Sequence, residues 1–265
     1  MSENGIGASM RRKEDRRFLT GNGNYLDDIN VGGQTYAYFV RSPHAHAKIK
    51  SIDTALAKSL DGVVDVLTGQ QLADDGIGPL ICGWVITGKD GEPHKAPAHP
   101  ALAVDRVRYV GDHVAVVIAE TYDQAKDAAE KVSVDYEVLP AAVSTASAAN
   151  SGSPQVHDDA PGNICYDWEI GEKDATDKAF ANAHHVTRLE LNNNRLVPNA
   201  IEPRSAIAEY HLGTDSLTLH TTSQNPHVAR LVLSAFNQIA PEHKLRVIAP
   251  DVGGGFGSKI FIYAE

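Results

Sequence analysis

HVAVVIA, residues 113–119, is the stretch on which the fold turns. A strand covered on one face alternates apolar with polar side chains. Seven residues with so little polar interruption suit a strand covered on both. Just beyond it, Thr121 stands three residues before Gln124, a spacing at which each side chain can satisfy a free amide at a helix start. Ala125, Ala128, Ala129 and Val132 then recur on one helical face, and 134–138 returns to a strand pattern. The spacing predicts a strand–helix–strand unit of α/β type.

Upstream, 36–41 (YAYFVR), 47–52 (AKIKSI) and 63–67 (VVDVL) read as short strands, the last closed by Thr68-Gly69. Residues 74–100 are rich in Gly, Pro and polar side chains and form a long excursion, the kind of loop that usually serves function or an interface. Downstream, 140–162 is rich in Ala, Ser and Pro and reads as a linker, so a boundary is expected there. The expected domains are 1–145 and 146–265.

In the second part, strands are expected at 164–170, 185–191, 207–210 and 216–222, with a helix across 174–183. Asn225 is a good helix cap, and Pro226 suits the first helical position, where its missing N–H is harmless. Val228, Leu231, Val232, Ala235, Phe236 and Ile239 share one helical face, and Pro241 stops the helix. A strand at 245–249 then runs through Pro250-Asp251-Val252 into the loop GGGFGSK, 253–259. The chain closes at Glu265 within an apolar stretch that carries no terminating signal, which is unusual for a domain end.

Bulk properties exclude several classes. The 265 residues, 42% of them hydrophobic and 22% charged, suit an ordinary globular chain of one large or two medium domains. A net charge of -10 disfavours nucleic acid or an anionic membrane as partner. No apolar run approaches a bilayer span. The basic N-terminus MSENGIGASMRRKEDRRF lacks the apolar core of a secretory signal, so a cytoplasmic location is expected. Two distant cysteines, Cys82 and Cys165, supply neither a disulfide framework nor a thiolate cluster and are expected to be buried or half-buried thiols. Any iron–sulfur chemistry must therefore come from another chain.

The sharpest local feature is Gly253–Lys259. Adjacent glycines permit positive φ and let backbone amides approach a ligand or an anion, although a tight structural turn has the same composition. Dinucleotide and P-loop fingerprints fail on register, because both need glycine where Ser258 stands. Gln224 ends a strand before a capped helix, and by itself it is a turn residue. For Glu202 and Arg204 a structural salt bridge is the commoner explanation. His44 and His46 could share a strand face, but no third ligand stands at metal spacing. His184 and His185 would point apart, and His227 could face solvent. Hydrolase motifs are absent from the sequence.

Taken in order, RRFLTGNGNYLDDI (16–29), RSPHAHAKI (41–49), LAVDRVRYVGDHVAVVIAET (102–121), IEPRSAIAEY (201–210), SQNPHVAR (223–230) and DVGGGFGSK (251–259) resemble the molybdenum-binding large subunits of the xanthine dehydrogenase, aldehyde oxidase and carbon monoxide dehydrogenase family. The ordered set is specific where each motif alone is weak. The resemblance implies an α+β fold: an α/β hammerhead domain over 1–145, followed over 146–265 by the beginning of a molybdopterin-binding α+β domain. It further implies a molybdenum–molybdopterin cofactor, with the cytosine dinucleotide form among the options. Partners would be an iron–sulfur small subunit carrying [2Fe-2S] clusters and an FAD-binding medium subunit. The reaction implied is oxidation of an aldehyde, an N-heteroaromatic or carbon monoxide with oxygen derived from water. By motif, Gln224 is the glutamine whose amide reaches an oxo ligand on molybdenum. Phe256 and Gly257 belong to the loop beside the metal and pterin, which Gly253, Gly254 and Gly255 shape. No side chain of this chain is assigned as a metal ligand.

Two departures matter. Purine-oxidising members carry a glutamate directly after the loop lysine, where this chain has Ile260, which weighs against a xanthine-like substrate. The family's catalytic glutamate, and the active-site cysteine of the carbon monoxide oxidisers, correspond to positions beyond Glu265. These 265 residues are therefore expected to be inactive alone. The alternative is a non-catalytic scaffold or assembly module that keeps the fold without cofactor.

Overall fold

The computed structural model describes residues 5–265, so the first four residues of the basic N-terminal stretch lie outside the described residues. The chain forms two compact units. Among the described residues, one comprises 34–197, 232–239 and 262–265; the other comprises 5–33, 198–231 and 240–261. Each is described by itself.

In chain order the elements are α1 (Asp15–Leu19), β1 (Tyr36–Arg41), β2 (Ala47–Asp53), α2 (Ala55–Lys58), β3 (Val63–Thr68), α3 (Gly69–Asp74), β4 (Arg106–Val107), β5 (His113–Ala119), α4 (Tyr122–Ala129), β6 (Ser133–Val138), α5 (Thr145–Ala148), α6 (Lys173–Ala181), β7 (Ala206–His211), β8 (Ser216–Thr221), α7 (Pro226–Ala235) and β9 (Leu245–Ile248).

The larger unit is built around β5. It is the middle strand of an antiparallel sheet β1-β5-β3, while β2 is the middle strand of a second antiparallel sheet, β4-β2-β6. Successive residues of β5 point to opposite faces. Val117 packs with Ala57, Val66, Ala128 and Ala129, on the side of α2 and α4. Val114 packs on the other side with Ala47, Ala103 and Val107. The two-faced burial expected of HVAVVIA is thus present, but it comes from a helical layer on one face and a second sheet on the other. The helix α4 also does not return the chain to the same sheet: β5 and β6 lie in different sheets. Thr121 caps α4 as its spacing predicts, its hydroxyl accepting from the Gln124 amide at 3.2 Å. A further cap, with Gln71 Oε1 accepting from the Thr68 amide at 2.9 Å, starts α3.

Three expectations need correction. The stretches 164–170 and 185–191 are not strands. The first reaches other backbone at two points, Lys89 N–H to Asp167 O and Lys95 N–H to Cys165 O, both 2.8 Å. Apolar residues at strand spacing give no ladder without a neighbouring strand to pair with. The cysteines are exposed and unpaired with each other, because Cys165 lies in that extended stretch and Cys82 in the irregular excursion. Finally, α7 ends at Ala235 rather than reaching Ile239. Asn237 is drawn away by tertiary contacts, its side chain donating to Gly78 O (3.2 Å) and Pro79 O (2.8 Å).

The smaller unit centres on the sheet β7-β8-β9. β7 and β8 form an antiparallel hairpin, and α7 carries the chain from β8 to β9, which pairs parallel to it, Leu217 opposite Leu245 and His220 opposite Ile248. Parallel pairing requires such a crossover. Val228 and Leu231, on the apolar stripe of α7, remain about half exposed, and the buried residue is Ala229. Among the described residues, no helix is long and apolar enough to cross a membrane.

Candidate functional site

Because β8 and β9 run parallel, their C-terminal ends lie at the same end of the sheet, where ligands of open α/β sheets commonly sit. Gln224 follows the first strand and the glycine loop follows the second. They meet: Gln224 N–H donates to Lys259 O at 2.8 Å, and Lys259 N–H donates to Gln224 Oε1 at 3.3 Å. With its oxygen against the loop, the exposed Gln224 amide keeps its NH2 group as a donor.

Close approach decides the glycines here more than backbone freedom does. A Cβ at Gly255 would collide with the Gln224 amide, and one at Gly253 would stand 2.6 Å from Glu202 Cβ. Of the three adjacent glycines only Gly254 has a positive φ, +99°. The loop is also a tight turn: Ser258 N–H and Ser258 Oγ both donate to Gly255 O at 2.8 Å. Beyond the turn it opens outward. A Cβ at Gly257 would meet nothing within 4 Å, and Phe256, held at φ +48°, is 79% exposed. Left-handed φ at a non-glycine is strained, and such strain concentrates at ligand-binding and active-site segments.

Both ends of the loop are tied to distant residues. At the near end Asp251 takes two hydrogen bonds from the Arg17 guanidinium, Nη1 to Oδ2 and Nη2 to Oδ1 (2.6 Å), and one from Asn24 N–H (2.7 Å). The Arg17 contact, followed by the Asn24 amide, holds the Asp251 carboxyl at a pKa of about 2. At the far end Lys259 Nζ lies 2.8 Å from Glu202 Oε2, which also accepts from Gly253 N–H at 2.7 Å. The salt bridge expected of Glu202 therefore exists, and its partner is the loop lysine.

The histidines sit elsewhere. His46 is buried with Nδ1 2.8 Å from Pro140 O, and His44 meets Tyr136 edge-on. His184, His185 and His227 are exposed. Arg17, Asn24 and Asp251 escaped sequence reasoning. Their pairing spans well over two hundred residues, and only the position of 16–29 among the ordered motifs marked that segment.

Residues 20–140 match the model of the aldehyde oxidase and xanthine dehydrogenase a/b hammerhead domain, and residues 156–265 match that of the molybdopterin cofactor-binding domain. The chain belongs to the molybdenum-containing xanthine oxidase family. It is similar to the carbon monoxide dehydrogenase large chain of Afipia carboxidovorans, at 39% identity over 98% of this chain and 32% of that one. The nicotine 6-hydroxylase large subunit of Paenarthrobacter nicotinovorans is 37% identical over 100% of this chain and 31% of its own length. Among solved structures, quinoline 2-oxidoreductase from Pseudomonas putida 86 superposes with a TM-score of 0.86 at 36% identity, covering 98% of this chain and 32% of that one. The chain thus spans about a third of the length of these relatives.

Proposed function

We propose that this chain supplies one edge of the cofactor site in a molybdenum hydroxylase large subunit, with Gln224 and the loop Gly253, Gly254, Gly255, Phe256 and Gly257 facing a molybdenum–molybdopterin group, of which the cytosine dinucleotide form is one option. The observation that carries this is the junction of Gln224 with the loop at the C-terminal end of β8 and β9. The residues present suit the group. A glycine turn with open space beyond Gly257 lets a large polar ligand approach the backbone, and an exposed amide donor stands beside it. Bound there, the cofactor would supply the redox chemistry. Gln224 would orient it through its NH2 group, and the Gly255 contact would keep that amide from rotating. Phe256 would cover an approach from solvent.

The domain boundaries that go with this function are 1–145 for the hammerhead domain and 146–265 for the start of the cofactor-binding domain. Oxidation of an aldehyde, an N-heteroaromatic or carbon monoxide, delivery of electrons to a [2Fe-2S] small subunit and an FAD medium subunit, and a cytoplasmic location complete the proposal. Glu202, committed to Lys259 and Gly253, is not available as a general base. In the full-length subunit assembled with its partners, Gln224→Ala is expected to slow turnover at least about tenfold at unchanged melting temperature. Full activity in that variant would remove Gln224 from the site.

A further inference from the structure

The glycine loop is tied to residue 202 by a charge pair that the proposed cofactor contacts do not use. The Lys259 side chain is 1% exposed and that of Glu202 13%. One carboxylate oxygen, Oε2, receives both Lys259 Nζ and the Gly253 amide, so it joins the first and last residues of the loop. The other oxygen, Oε1, is buried and accepts nothing among the described residues. Through its backbone the same lysine holds Gln224, accepting from Gln224 N–H and donating to Gln224 Oε1. Two charges taken out of water contribute little net stability, and apolar groups of like volume often serve as well. Stability alone therefore accounts poorly for this pair. What it supplies is direction, since each charge has one well-placed counterpart.

We infer that Glu202 and Lys259 are positioning residues, a buried ion pair that fixes the loop against Gln224 and so sets which way the Gln224 amide faces. The inference rests on the cofactor-facing role proposed above only for its consequence, because the positioning itself exists in the protein without any ligand. If the pair were absent, Lys259 would no longer be anchored, and Gln224 Oε1 would lose its fixed donor.

Hydrogen exchange of the 251–260 amides, measured beside thermal unfolding in the full 265-residue chain, tests this. Lys259→Met leaves an uncompensated buried carboxylate and is expected to lower the melting temperature and to speed loop exchange by about tenfold or more. Lys259→Arg keeps the charge and the donors and is expected to regain loop protection. The double variant Glu202→Gln/Lys259→Met separates the two roles. With both charges gone the melting temperature should recover, while loop exchange stays fast. Loop exchange that returns to the wild-type rate in the double variant would make the pair structural only and overturn the inference. Metal analysis of the same double variant in the full-length subunit then distinguishes the two proposals. Reduced molybdenum at an unchanged melting temperature supports both. Unchanged molybdenum beside fast loop exchange leaves positioning in place and counts against the cofactor role of the loop.

Discussion

The two units are held together by different means. Around β5 the larger unit buries Ala57, Val66, Val117 and Ala128 on one side and Ala47, Val107 and Val114 on the other. Among the described residues of the smaller unit, the buried apolar side chains are Leu26, Ala229 and Leu245, and the buried polar ones are Thr222 and Lys259. Its order comes from sheet pairing and from two ion pairs that reach across the chain, Arg17–Asp251 and Glu202–Lys259. A unit organised by hydrogen bonds and charge around a loop suits holding a polar group in place. A unit organised by apolar burial suits a scaffold. The larger unit also carries a stretch that adds nothing to that core, since residues 164–197 are exposed throughout and α6 within it buries no residue.

The widest contrast is in local opening. Segments without paired backbone or apolar contacts open at almost no free energy, whereas central strands open only on global unfolding. Limited proteolysis should therefore cut first within 184–199, well before 113–138. Early cleavage inside β5 or α4 would show that the core of the larger unit opens as readily as its exposed stretch.

Core truncation comes next. Val117 is fully buried, so Val117→Ala should destabilise the larger unit by about 2–3 kcal/mol in denaturant titration. Leu231 in α7 is 48% exposed, and Leu231→Ala should cost less than about 1 kcal/mol in the same 265-residue chain. Equal losses at the two positions would mean that the smaller unit has a core after all.

The smallest effect is electrostatic. Asp251 has a folded-state pKa of about 2, below the ordinary 3.8, because Arg17 and the Asn24 amide favour its charged form. A depressed carboxyl pKa contributes stability that is present in full above the ordinary value and is lost as pH falls toward the folded value. Exchange protection of the 22–25 amides should accordingly decline between about pH 4 and pH 2. Asp251→Asn should flatten that decline, and a decline of the same size in the variant would assign it to another group.

Local periodicity explains what is legible in the sequence. The apolar run of β5, the Thr121 cap and the alanine stripe of α4 each report their own surroundings within a few residues, and all are found in place. The strand–helix–strand pattern from 216 to 248 likewise implies a crossover, and with it the meeting of Gln224 and the glycine loop. Illegible are features that depend on a distant partner. The sequence contains Asp251 and Lys259 but no sign of Arg17 or Glu202 as their counterparts, 234 and 57 residues away. For the same reason 164–170 and 185–191 mislead: their spacing suits a strand, but a strand exists only beside another. The stripe on α7 misleads as well: Val228, Leu231, Ala235 and Phe236 stay exposed, and the buried residue of the helix, Ala229, does not belong to it.

As proposed above, Gln224 and the loop 253–257 form one edge of a cofactor site rather than a whole one. Metal analysis of the 265-residue chain, purified alone and assayed for dye reduction, tests it most directly. A large anionic cofactor needs polar contacts from several segments, and a general base worth roughly 10²–10⁴-fold in rate is expected from elsewhere in the subunit. The expected result is little or no molybdenum and no turnover, with both appearing in the full-length subunit assembled with its partners. Stoichiometric molybdenum with turnover from these 265 residues by themselves would place the whole site within them and overturn the proposal.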